Sequence, residues 1–319
     1  MSSDSYNKFL IKKLKNNIFF ILFIIVFIFV YTFIIQKNKN QNMSKIDKSP
    51  IIKGKHAILL LSSYGTDYLN NFLSQFNNDP RFDIYIHIAG KSLIDFENGE
   101  TIINSNIKYC NYHHKSKRFS LGMVDAMYDI MIIASSKYDY DFYHFFSESC
   151  YLVKSLDYFY NFFEKNKLYT YVHHFLNNNY LYKNQSNLLY KGSQWMSINR
   201  DIMKKILEKK YLFKKYKNEI QKNIIQIING AADEFFYQQI IVKDICENKP
   251  EKCNVKNYNL RYIRWKNCST LYCPNLLDIS NVSEEEINHI KKNILIIRKI
   301  DYKNPKAIEL IDKLKSLEK

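Results

Sequence analysis

Glycine is scarce in this sequence, with seven in 319 residues. Neither G-x-G-x-x-G nor G-x-x-x-x-G-K-[ST] occurs, which excludes a glycine-rich loop cradling phosphates. Six cysteines include no C-x-x-C pair, so the common zinc spacings are absent. Cys246, Cys253, Cys268 and Cys273 cluster near the C-terminus, while Cys110 and Cys150 stand apart. Disulfides in an oxidising lumen are the natural reading of the cluster, and buried free thiols are the other. There is no internal repeat. Acidic residues are outnumbered, 31 against 47 basic, giving a net charge of +16. That balance invites a nucleic-acid reading. Lysine, asparagine and isoleucine are enriched together along the whole chain, however, and no basic stripe interleaved with aromatics stands out. Nucleic acid is therefore not an expected partner. The sequons at Asn42, Asn184, Asn267 and Asn281 are close to what so asparagine-rich a chain yields by chance.

Charge is missing altogether from Ile18 to Ile35, an unbroken apolar and aromatic run relieved by Thr32. Eighteen helical residues span about 27 Å, enough for the hydrocarbon core of a bilayer. The run is longer than a signal-peptide core, lacks a small-residue cleavage site and ends in Gln36-Lys37-Asn38-Lys39. It reads as an uncleaved anchor contacting the lipid bilayer. Lysines flank it on both sides, so the positive-inside rule does not orient it. The expected layout is a cytoplasmic tail 1–17, a transmembrane helix 18–35, a lysine-rich stem 36–54 and a lumenal domain 55–319. That is a single-pass type II protein of a Golgi- or ER-type compartment.

Within 55–319, strands alternate with helices. Strands are expected at His56–Ser63, Phe82–Ile88, Ile107–Tyr112, Phe142–Phe146, Leu260–Trp265 and Ile294–Ile297. Helices are expected around Tyr68–Phe76 and over Met123–Ala134, Ser155–Asn166, Arg200–Asn218, Phe235–Val242, Ser283–Lys291 and Pro305–Leu317. The alternation predicts an α/β domain with a mostly parallel sheet flanked by helices. Ligands in such sheets sit beyond the C-terminal strand ends, here Ser62-Ser63-Tyr64, His87 to Lys91 and Ser147-Glu148-Ser149.

Two short segments carry most of the chemistry. Lys191-Gly192-Ser193-Gln194-Trp195 is small, polar and tightly turning. Ala232-Asp233-Glu234-Phe235-Phe236 places adjacent carboxylates where a helix begins, which suits either a cap or a general base. Asp139-Tyr140-Asp141 has the Asp-x-Asp form that holds divalent metals in many nucleotide-sugar transferases. It precedes its strand rather than following it, so no metal site is assigned. His113-His114 and His173-His174 are adjacent pairs whose side chains diverge on a strand, so they read as structural.

Six segments in order resemble the core-2/I-branching β-1,6-N-acetylglucosaminyltransferase family, which includes peptide O-xylosyltransferases. Tyr85 to Ser92 looks like its His-Val-Asp-x-Lys-Ser element. Phe142 to Ser155 looks like its strand and Ser-Gly-x-Asp-x-Pro-Leu-Lys loop. Gly192-Ser193-Gln194-Trp195 is similar to its Gly-Ser-x-Trp, and Asp233-Glu234 to its Asp-Glu. Arg261 to Trp265 resembles its Arg-Tyr-x-x-Trp, and Leu295 to Ile300 its Leu-Phe-Ala-Arg-Lys-Phe. Ala89, Glu148, Cys150 and Leu152 depart from the pattern.

The resemblance implies a GT-A-like fold and an inverting transferase without metal or other cofactor. A UDP-sugar would donate to a glycan or glycoprotein acceptor, with UDP-N-acetylglucosamine the expected donor and UDP-xylose the alternative. It places Glu234 as catalytic base, with Asp233 the helix cap. Ser63, His87, Lys91, Arg298 and Lys299 would contact the donor, and Ser193, Gln194 and Trp265 the acceptor. As residues, Trp265 reads equally as contact or core, and Trp195 reads as core. An inactive, membrane-tethered glycan-binding homologue is the alternative from another class, resting on Ala89 and Glu148.

Overall fold

The structure, a computed structural model, describes residues 54–62, 66–76, 78–89, 107–111, 120–176, 190–223, 232–267, 272–274 and 276–315. All lie in one unit, Lys53–Lys319. The apolar run 18–35 falls outside them. No helix among the described residues is long and apolar enough to cross a membrane.

The strand β1 (His56–Ser62) is buried along its whole length. A strand with neighbours on both edges and helices on both faces needs no polar side, which is why it reads as a continuous apolar run. The chain continues through α1 (Thr66–Ser74), β2 (Phe82–Ile88), β3 (Ile107–Asn111), α2 (Leu121–Lys137), β4 (Phe142–Ser147), β5 (Cys150–Leu152) and α3 (Leu156–Lys165). Next come β6 (Thr170–Tyr171), β7 (His174–Leu176), β8 (Tyr190–Gly192), β9 (Ser197–Asn199), α4 (Arg200–Glu208), α5 (Lys210–Asn223) and α6 (Ala232–Gln238). A π-helical turn, Gln239–Ile245, extends α6. The last part holds β10 (Val255–Lys256), β11 (Arg261–Ile263), β12 (Trp265–Asn267), β13 (Tyr272–Pro274), α7 (Glu284–Asn293), β14 (Ile296–Arg298) and α8 (Pro305–Lys315).

Seven strands form the main sheet in the order β10-β6-β9-β4-β1-β2-β3. β1 pairs in parallel with β2 and β4, β2 with β3, and β10 with β6; β9 runs antiparallel to β4 and β6. The expected mixed, mostly parallel α/β sheet is therefore present. Side chains alternate across it. Ala57, Leu59 and Leu61 pack with residues of α2, α4, α5 and α6 on one face. Ile58 and Leu60 pack with Leu69, Phe72, Phe159 and Phe163 of α1 and α3 on the other. Full burial of each leucine contributes about 2 kcal/mol. A second sheet, β11-β14-β5, rests on α7 and α8 through Ile297, Ile287, Ile290, Leu310 and Ile311.

Side-chain caps mark three helix starts: Ser155 accepts from Tyr158 N, Asn199 from Ile202 N, and Ser283 forms a reciprocal capping box with Glu286. Other boundaries differ from expectation. The expected helix Arg200–Asn218 is two helices, because its apolar face lapses at Lys209 and Lys210 before resuming at Leu212. The strand expected over Leu260–Trp265 breaks at Arg264 into β11 and β12, which join different partners. Asp233 lies in the first turn of α6 rather than at its cap. Cys150, Cys246 and Cys253 are free thiols, and Cys253 hydrogen bonds with Cys246. Cys268 lies outside the described residues, as does the His113-His114 pair.

Candidate functional site

Parallel register aligns the C-terminal ends of β4, β1 and β2, so Ser147, Ser62 and His87 share one edge of the sheet. All three are buried. Among the described residues Ser62 Oγ has no hydrogen-bond partner. Ser63 and Lys91 lie outside the described residues. Above this edge β14 pairs with β5, placing Arg298 opposite Cys150. Arg298 Nε donates to Ser147 Oγ at 3.1 Å, and its guanidinium lies 4.5 Å from the centre of the Trp195 ring. Lys299 follows, half-buried, its carbonyl accepting from Leu277 N at 2.8 Å.

The Gly192–Trp195 segment owes its shape to a close crossing. A Cβ on Gly192 would stand 1.9 Å from the carbonyl oxygen of His173, so only glycine allows β8 to meet the chain entering β7. Ser193 N donates to that same carbonyl at 3.2 Å, and Ser193 Oγ accepts from Trp195 N at 3.2 Å. Trp195 is buried, and its carbonyl accepts from Arg261 Nη1 at 2.9 Å. Arg261 Nη2 donates to the Phe145 carbonyl at 2.5 Å. Burial lowers this guanidinium to about 10, with Cys150 opposing and the nearby Arg298 charge adding. It remains a cation at neutral pH, and its field reaches the site.

Glu234 stands in the first turn of α6, its side chain a quarter exposed, while Asp233 beside it is buried. One turn on, Gln238 Nε2 donates to the Ser193 carbonyl at 2.8 Å. Gln239 clips the same helix to β8, accepting from Tyr190 N at 3.3 Å and donating to Tyr190 O. Lys191 Nζ lies 3.3 Å from Glu234 Oε2. Trp265, on the β12–β13 hairpin, is 51% exposed and so is not a core residue. The structure thus links Glu234, Ser193, Trp195 and Arg298 through one set of contacts.

The sequence pattern of the Branch family, described as core-2/I-branching enzyme, matches residues 66–291. The chain belongs to this family. No curated protein sequence matches. Among solved structures, the apo form of the glycosyltransferase GlyE of Streptococcus pneumoniae TIGR4 is similar at 9% identity with a TM-score of 0.40. A second structure of that glycosyltransferase is similar at 8% with a TM-score of 0.40. The matches cover 82% of this chain and 60% and 61% of those chains, so the protein spans about three fifths of their length.

In this member of the core-2/I-branching family the Asp-x-Asp pair sits at the opposite, N-terminal edge of the sheet. Asp141 pairs with Arg200 and lies 3.5 Å from Lys167, and Asp139 lies 3.1 Å from Lys204. Those cations already balance both carboxylates. No cluster of three or more metal-ligating side chains occurs among the described residues. His174 is held by Asn257, whose Oδ1 accepts from its backbone N at 2.9 Å, and Nδ1 lies 2.9 Å from the Val172 carbonyl. Sequence reasoning passed over Lys191, Gln238 and Gln239. The available signals were the place of Lys191 beside Gly192 and the i, i+4 spacing of Gln238 from Glu234.

Proposed function

We propose that the chain is an inverting, metal-independent glycosyltransferase that moves N-acetylglucosamine from its UDP-sugar to a glycan or glycoprotein. Glu234 removes the proton of the acceptor hydroxyl as that oxygen attacks the anomeric carbon. The bond from that carbon to the diphosphate breaks, its electron pair leaves with UDP, and the anomeric centre inverts. Arg298 and Lys299 neutralise the departing diphosphate, with the buried Arg261 charge behind them. His87, Ser63 and Lys91 complete the donor side. Ser193, Gln194 and Trp265 form the acceptor side, where the exposed Trp265 ring suits stacking on a sugar face. Residues 55–319 carry this activity, tethered by 18–35 through the stem 36–54, with the catalytic part in the lumen.

The observation that carries the reading is the contact chain from Glu234 through the Gln238–Ser193 bond to Trp195 and the stacked Arg298. It supports a base and a cationic diphosphate site close together beyond the C-terminal strand ends. The test is UDP release by the full chain in detergent micelles, with a panel of UDP-sugars and glycan acceptors, with and without chelator. Turnover with UDP-N-acetylglucosamine that survives chelation is expected. Turnover with UDP-xylose alone reassigns the donor. Sugar binding without release from any donor would favour the inactive glycan-binding homologue.

A further inference from the structure

We infer that Lys191 is a positioning residue for the reaction, holding the Glu234 carboxylate in one orientation, turned toward the acceptor. The inference rests on the reading of Glu234 as the base. Lys191 Nζ lies 3.3 Å from Oε2 and 5.5 Å from the centre of the Phe235 ring, against the helix that bears the carboxylate. The two side chains are 27% and 25% exposed, so the pair is screened less than a fully solvated one. Oε1 has no hydrogen-bond partner among the described residues, leaving one oxygen held and the other available for the proton.

The backbone around the pair is built to keep that spacing. Gly192 admits the close crossing over His173 that seats β8. Gln239 bonds both backbone groups of Tyr190, and Gln238 bonds the Ser193 carbonyl, so α6 is tied to the strand on both sides of Lys191. A carboxylate on a helix is otherwise free to rotate about its own side-chain bonds. A cation fixed on the adjoining strand removes that freedom before substrate arrives. Phe175 stands opposite Lys191 in the β7–β8 register and is 47% exposed.

Other titratable groups surround α6. Asp233 is its neighbour in sequence, and His173 and His174 precede and open β7. Asp125 of α2 is paired at 2.7 Å with Lys217 of α5, and Asp125, Asp129 and Asp233 all act on Tyr237 of α6. None of these groups forms an ion pair with Glu234 among the described residues. Removing Lys191 therefore removes the cation that holds Oε2 of Glu234.

The experiment compares the full chain with Lys191→Met, Lys191→Arg and Glu234→Gln, using the UDP-sugar and acceptor that support turnover. Lys191→Met should lower kcat about tenfold and leave the donor KM within about twofold. Lys191→Arg should recover most of kcat. A Lys191→Met enzyme with unchanged kcat overturns the inference. So does one whose activity falls only in proportion to its folded fraction, or that Lys191→Arg does not rescue. If Glu234→Gln is inactive in either case, only the Lys191 inference has failed. Glu234→Gln with substantial turnover removes the base itself, and wild-type protein inactive with every donor removes both.

Discussion

The Arg298 guanidinium lies over the Trp195 ring at 4.5 Å from its centre, joining the last strand to the Gly-Ser-Gln-Trp segment. A tryptophan read from sequence as core is buried and is also a platform for a cation. A desolvated cation–π pair contributes about 1–2 kcal/mol. Trp195→Leu should therefore weaken UDP binding about five- to thirtyfold, while Trp195→Phe keeps most of the affinity. Calorimetry with UDP checks this, and equal affinity in both variants would remove Arg298 from the donor site.

Glu234→Gln should lower turnover 10²- to 10⁴-fold, in the range typical of a lost general base, with UDP affinity within a few-fold of wild type. The amide preserves size and accepts no proton at neutral pH. Turnover above about a tenth of wild type would move the base elsewhere.

Gly192→Ala should be severe for its size. The added methyl would meet the His173 carbonyl at 1.9 Å, and that atom is backbone, so β7 and β8 must part. We expect a loss of about 2–4 kcal/mol in stability, as for overpacked or strained sites. The acceptor-side segment should distort with it. Denaturant midpoints measure the first effect, and a wild-type midpoint would contradict the close crossing.

Stability should fall on mild acidification. His144 Nδ1 lies 3.0 Å from Ser197 Oγ and its Nε2 lies 3.2 Å from His56 Nδ1, whose ring in turn meets Glu164. Burial lowers the pKa of both histidines, against Glu164 in the case of His56. Below the ordinary histidine value of about 6.5 the unfolded chain takes up protons that the native one resists. Stability is thus complete above that value and lost as pH falls through it, by up to about 1.4 kcal/mol per pH unit for each ring. Urea midpoints at pH 7.5, 6.5 and 5.5 should decline, and less steeply in His144→Phe.

Chelation by EDTA should leave transfer intact. Asp139→Asn with Asp141→Asn should lower stability, by unpairing Arg200 and Lys204, without changing donor affinity. Activity lost to EDTA and restored by Mn²⁺ would overturn the metal-free mechanism.

Long, strongly patterned elements were legible before any coordinates. The strand Phe82–Ile88 has its expected ends, and β1 and α3 differ from expectation by a residue or so, because continuous burial and a serine cap leave local marks. Two- and three-residue strands such as β6, β8 and β9 carry no such marks, since their pairing is decided by distant neighbours. The same limit explains the cysteines. Their cluster in sequence pointed to disulfides, whereas Cys246 and Cys253 meet as thiols at the end of a π-turn that no local pattern announces.

Order along the chain was enough to determine the α/β class, the family and the short segments that matter, because periodicity and motif spacing are local properties. Lys191 beside Glu234, Arg298 over Trp195 and Asp139 with Asp141 beneath their cations were decided only when the sheet closed. Each is a contact between residues far apart in sequence. Its geometry depends on strand register and on a glycine that lets two backbones touch, and neither can be read from the residues that finally meet.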